Sequence, residues 1–98
     1  MRRNKSRASQ AVDDGELIEV LAGVTEAGRM RGLLSEILTA SERTDLFLRW
    51  KLMRMLRHGV PQRRIATELG VSLCKITRGA RVLKKPGSAC AEIIGGRE

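Results

Sequence analysis

Tyrosine is absent from the chain, and Phe47, Trp50 and His58 are the only phenylalanine, tryptophan and histidine. So little aromatic bulk cannot fill a core by itself. A lone histidine with no second imidazole and no nucleophile paired to a carboxylate leaves no catalytic constellation to assemble, so an enzyme is not expected. Cysteine is scarce too. Cys74 and Cys90 stand far apart with no close Cys or His partner, which suggests neither a disulfide framework nor a zinc site but two reduced thiols acting as small hydrophobes. No apolar run approaches the ~20 residues of a membrane span. The basic start, Arg2, Arg3, Lys5 and Arg7, leads into Asp13, Asp14 and Glu16 rather than into the apolar stretch of a signal peptide. A soluble, cytoplasmic protein without a metal is expected.

What the chain does have is positive charge. Over 98 residues it carries 19 Lys and Arg against 11 Asp and Glu, a net +8, which favours a polyanionic partner, nucleic acid before anionic membrane. The excess is local: residues 1–10 carry +4, 11–48 carry −5, 49–85 carry +10 and 86–98 carry −1. The length allows one small domain, which buries only about 60 to 65% of its unfolded surface, so a second copy would help to complete the core.

Residues 1–12 read as a disordered basic arm, since Arg, Lys, Asn, Ser and Gln offer nothing to bury. From Asp13 the pattern turns helical: Leu17, Ile18, Val20, Leu21 and Val24 recur at helical spacing behind an acidic start, predicting a helix to about Ala27. A shorter piece is expected around Leu33, Leu34, Ile37 and Leu38. Thr39-Ala40-Ser41-Glu42 is a capping box that opens the longest helix, ending near His58-Gly59. That helix holds Leu46, Phe47, Leu48, Trp50, Leu52, Met53, Met55 and Leu56, apolar positions on more than one face. One neighbour cannot cover them all, so residues 13–58 are read as a helical dimerisation core, with Trp50 inside it and His58 solvated at the helix end.

Residues 59–85 read as a helix-turn-helix. Pro61 presets φ at the first helix start. Ile65 and Leu69 face inward, and Ala66 is small where the second helix crosses. Gly70 permits the left-handed backbone of a sharp exit, Ser72 caps the second helix, and Leu73 and Ile76 return to the core. Cys74, Lys75, Thr77 and Arg78 are left on or near the outer side, at the end that would enter a major groove. Amphipathic helix pairs also occur as plain packing units, but Arg63, Arg64, Lys75, Arg81, Lys84 and Lys85 offer phosphate contacts that a packing unit does not need. The expected DNA contacts are Gln62, Arg63, Ser72, Leu73, Cys74, Lys75, Thr77, Arg81 and Lys84. Residues 86–98 form a short tail for which a last helix is left open.

Leu33-Leu34, Ile37-Leu38-Thr39, Ser41-Glu42-Arg43, Arg49, Gly59, Gln62-Arg63, Glu68-Leu69-Gly70, Ile76-Thr77-Arg78-Gly79 and Leu83-Lys84 resemble the tryptophan operator repressor family over about residues 33–85. The resemblance implies an all-α fold, an intertwined homodimer with a helix-turn-helix in each chain, L-tryptophan as corepressor and double-stranded operator DNA as partner. By the same resemblance, Arg49 from the partner chain and Arg78 hold the indole ring between them, with Arg78 near the ligand carboxylate. The backbone carbonyls of Glu36, Leu38 and Thr39 receive its ammonium, and Gly79 leaves room for the ring. The chain departs from the family at Glu36, where an apolar residue is usual, at Val82, where a hydroxyl is usual, and by one residue fewer between Gly59 and Gly70. A constitutive architectural DNA-binding protein would use the same basic surface but has no need of a slot between two arginines.

Overall fold

A computed structural model describes residues 15–97; the basic arm expected over residues 1–12 lies outside them. The described residues form six helices: α1 Gly15–Gly23, α2 Ala27–Ile37, α3 Ala40–Arg57, α4 Gln62–Leu69, α5 Leu73–Lys84 and α6 Ala89–Arg97, with no strand among them. The chain divides into two units between Leu38 and Thr39.

In the first unit the helix expected to reach Ala27 stops at Gly23, where the Val24 N–H turns back to the Leu21 carbonyl at 3.2 Å. Ala27 instead opens α2, which extends to Ile37 and is longer than the short piece expected from its apolar residues alone. Arg29 and Arg31, good helix formers, carry the helix between Gly28 and Gly32. No residue of α1 or α2 is buried, and Leu17, Ile18 and Val20 leave an apolar stripe exposed on α1.

The second unit opens on the expected capping box. Thr39 Oγ1 accepts from the Glu42 N–H at 3.1 Å while Glu42 Oε1 accepts from the Thr39 N–H at 2.9 Å. Two otherwise orphan donors are satisfied reciprocally. The helix ends at Arg57 with His58 as its cap, and Gly59 follows at φ 81°. Helix α3 packs against α4, α5 and α6. Their meeting place is the core, formed by Leu52 and Met53 of α3, Ile65 of α4, Ile76 of α5 and Ile94 of α6. Ile65, Ile76 and Ile94 are fully buried, each removing roughly 1.5 to 3 kcal/mol of apolar exposure.

The tail is helical. Ser88 is buried before α6 because its Oγ accepts from the Ala91 N–H at 3.1 Å and its carbonyl from the Glu92 N–H. Ile94 then joins the core, so α6 is an integral layer of this unit rather than an appendage.

The other half of α3 is uncovered in the single chain. Leu46 is 43%, Phe47 54% and Trp50 37% exposed, so Trp50 does not belong to the core of the single chain. The reason is position: Leu52 and Met53, two and three residues on, take the face that α4, α5 and α6 cover.

Candidate nucleic-acid interface and ligand cavity

The helix-turn-helix forms as its residues require. Pro61, at φ −59°, precedes the first turn of α4, where a missing N–H costs nothing. Gly70 takes the left-handed conformation at φ 64°, and its N–H closes on the Ala66 carbonyl at 2.9 Å. Ser72 then caps α5, its Oγ accepting from the Lys75 N–H at 3.3 Å. Ile65 and Ile76 lock the pair together from either side of the turn.

Every residue expected to meet DNA lies on the surface: Gln62, Arg63, Ser72, Leu73, Cys74, Lys75, Thr77, Arg81 and Lys84 are all exposed. Leu73, expected also to return to the core, does not, being 56% exposed. It lies one turn before Ile76 on the same helical face, beyond the part of α5 that the core covers. Arg64 is also different from its neighbours. Its Nε donates to Glu68 Oε2 at 2.8 Å, one turn on, and this bond raises the guanidinium pKa above its ordinary value. A local carboxylate therefore offsets one cation of the basic surface, whereas Arg63 has no such counter-ion among the described residues.

Arg49 and Arg78 meet at one place. Both line a cavity of about 470 Å³ in the second unit, within the range of small-molecule sites. The resemblance draws Arg49 from a partner chain, whereas here both arginines border the cavity of one chain. Asp45, Arg49 and Leu52, at i, i+4 and i+7, line it from α3; Lys75, Arg78 and Val82, at i, i+3 and i+7, line it from α5. Helix α5 thus turns one stripe to the core and another to the cavity, while Leu73, Cys74 and Thr77 stand exposed. Trp50 and Cys90 are among the other residues of the wall. Sequence reading missed Asp45 as a lining residue, although its spacing of one turn from Arg49 was a usable signal.

Gly79 lines the same cavity, and its other neighbours explain its missing side chain: a Cβ there would lie 2.6 Å from Leu52 Cδ2, 3.1 Å from Met53 Sδ and 3.2 Å from Leu56 Cδ1. The glycine lets α5 approach α3 closely. Of the residues expected to receive an ammonium, Glu36 and Leu38 belong to the first unit and Thr39 to the second. The Thr39 carbonyl already accepts from the Arg43 N–H at 2.9 Å, leaving it one lone pair.

Among the described residues no group of His, Cys, Asp and Glu could hold a metal, and no helix is long and apolar enough to cross a membrane.

A basic helix-turn-helix standing on a helical core defines the class: an all-α DNA-binding regulator. The pattern of the Trp repressor protein family matches residues 15–95, and the chain belongs to that family, whose members are regulators and not enzymes. It is 41% identical over 69 residues to a Trp operon repressor homolog of Xylella fastidiosa strain M23, covering 69% of this chain and 75% of the relative. To the homolog of Chlamydia trachomatis serovar D it is 43% identical over 56 residues, 56% of this chain and 60% of the relative. To that of Aliivibrio fischeri strain MJ11 the figure is 32% over 80 residues, 81% of this chain and 74% of the relative. No solved structure matches.

Proposed function

We propose that the protein is an L-tryptophan-responsive transcriptional repressor of the cytoplasm that binds a palindromic operator as an intertwined homodimer. One observation carries this reading: the cavity that Arg49 and Arg78 line shares its α5 wall with Lys75, in the first turn of the helix that would read DNA. A guanidinium plane both stacks on an aromatic face and pairs with a carboxylate, so an indole amino acid suits the pair. A ligand wedged there bears directly on the pose of α5. In a dimer that pose sets the separation of two reading helices, which must match successive major grooves about 34 Å apart. Tryptophan is accordingly the corepressor.

The exposed apolar residues of α3, Leu46, Phe47 and Trp50, and of α1, Leu17, Ile18 and Val20, support the dimer, since a soluble monomer rarely leaves so many large apolar side chains in water. Residues 13–58 supply its dimerisation core, residues 59–85 its DNA-reading motif. Gln62, Arg63, Ser72, Leu73, Cys74, Lys75, Thr77, Arg81 and Lys84 meet the operator, and Arg49, Arg78 and Gly79 line the cavity that takes the ligand.

The test is a mobility shift on a palindromic duplex that the protein itself selects from a random pool, with and without L-tryptophan. Tighter binding with the amino acid supports the reading. Equal binding to selected and random DNA, indifferent to tryptophan, would make this an architectural protein instead.

A further inference from the structure

We propose that Asp45 receives the ligand ammonium, so that a side chain of this protein, and not its backbone alone, selects an α-amino acid over the same acid without its amino group. The inference rests on the cavity being the ligand site.

Among the described residues Asp45 is the one acidic group lining that cavity, beside the cations Arg49, Lys75 and Arg78. An α-amino acid is a zwitterion whose two charged groups branch from one carbon. Its counter-charges must therefore stand a few ångströms apart on one wall or on facing walls. Asp45 on α3 and Arg78 on α5, which line the same cavity, offer those two counter-charges from facing helices, Asp45 to the ammonium and Arg78 to the carboxylate. Asp45 is also available: among the described residues no ion pair within 4.0 Å joins Asp45 to Arg49, so they are not spent on one another.

The helix gives Asp45 no other duty. It lies beyond the first turn of α3, whose N-terminal donors are served by Thr39 and Glu42, and a carboxylate there adds nothing to the cap. A carboxylate next to a basic DNA-reading surface also weakens attraction to phosphate. Ammonium recognition gives that cost a purpose. The Thr39 carbonyl, half occupied by the Arg43 N–H, is left a secondary acceptor.

Calorimetric titration of the full chain with L-tryptophan and with indole-3-propionate tests this. The parent protein and the Asp45→Asn, Asp45→Glu and Glu92→Gln variants are compared by the ratio of the two affinities. Asp45→Asn should cut the preference for the amino acid about five- to tenfold, through weaker tryptophan binding with indole-3-propionate held or improved, since a charge-assisted hydrogen bond is lost and a nearby repulsion relieved. Asp45→Glu should retain part of the preference. Glu92→Gln, the same change of charge on a residue that does not line the cavity, should leave the ratio unaltered. An unchanged ratio in Asp45→Asn would overturn the proposal and return the ammonium to backbone carbonyls. If neither compound binds the parent protein, the reading of the cavity fails instead, which is a different outcome. Far-ultraviolet circular dichroism confirms that each variant is folded; Asp45 itself is exposed.

Discussion

Gly79 of α5 faces Leu52 of α3 so closely that a single added methyl would stand 2.6 Å from Leu52 Cδ2. Leu52 is only 4% exposed and cannot swing into solvent. Gly79→Ala sets two effects against each other. Alanine gains about 1 kcal/mol over glycine within a helix, while overpacking a filled core costs about 1 to 3 kcal/mol. With Met53 and Leu56 also crowded, crowding wins, and urea unfolding should show a net loss of about 1 kcal/mol without any ligand. A variant as stable as the parent, but impaired in tryptophan binding, would mean that the glycine serves the ligand alone.

Ile94 makes α6 part of the core. Ile94→Ala should cost about 2 to 5 kcal/mol, a large share of the stability of so small a domain, and thermal unfolding should register it as a single lowered transition. Loss of α6 signal with an unchanged main transition would show the last helix to be an independent appendage.

Much of this could be read from the residues. The capping box at Thr39, the glycine turn at Gly70 and the Ser72 cap are local chemistry, legible because each needs only its near neighbours. The helix break at Val24 and the full extent of α2 were not, because Gly28 and Gly32 weaken the apolar pattern without breaking the helix. Nor was α6: Ala89–Arg97 has no clear apolar stripe, and Ile94 acquires its role only from what α3 and α5 bring to it. The residues offered to DNA are exposed, as the coincidence of charge and motif led one to expect. Asp45 and Trp50 as cavity walls were not legible, since a cavity belongs to two helices at once.

Glu68 holds Arg64 through a 2.8 Å bond on an exposed face. Glu68→Gln should therefore free a cation for phosphate, raising affinity for random duplex DNA and steepening the dependence of log K on log salt by up to about one unit. Fluorescence anisotropy across a salt series measures both; an unchanged slope would show that Arg64 stays away from the backbone of DNA.

Lys75 and Lys84 sit at opposite ends of α5. Lys75→Ala should alter which base pairs are preferred, by about 1 to 3 kcal/mol at one position, whereas Lys84→Ala should weaken all sequences alike. Selection from a random duplex pool separates the two. An unaltered preference for Lys75→Ala would reduce that residue to a phosphate contact.

The central claim, that tryptophan between Arg49 and Arg78 controls DNA binding, is tested most directly by measuring the affinity of the selected duplex over a titration of L-tryptophan, for the parent protein and for Arg78→Ala. The parent should bind the duplex more tightly as tryptophan rises. Arg78→Ala, which loses both ring stacking and the carboxylate partner, should need roughly ten- to hundredfold more ligand or show no response, while staying folded. An identical tryptophan response in both proteins, or none in the parent, would contradict the account.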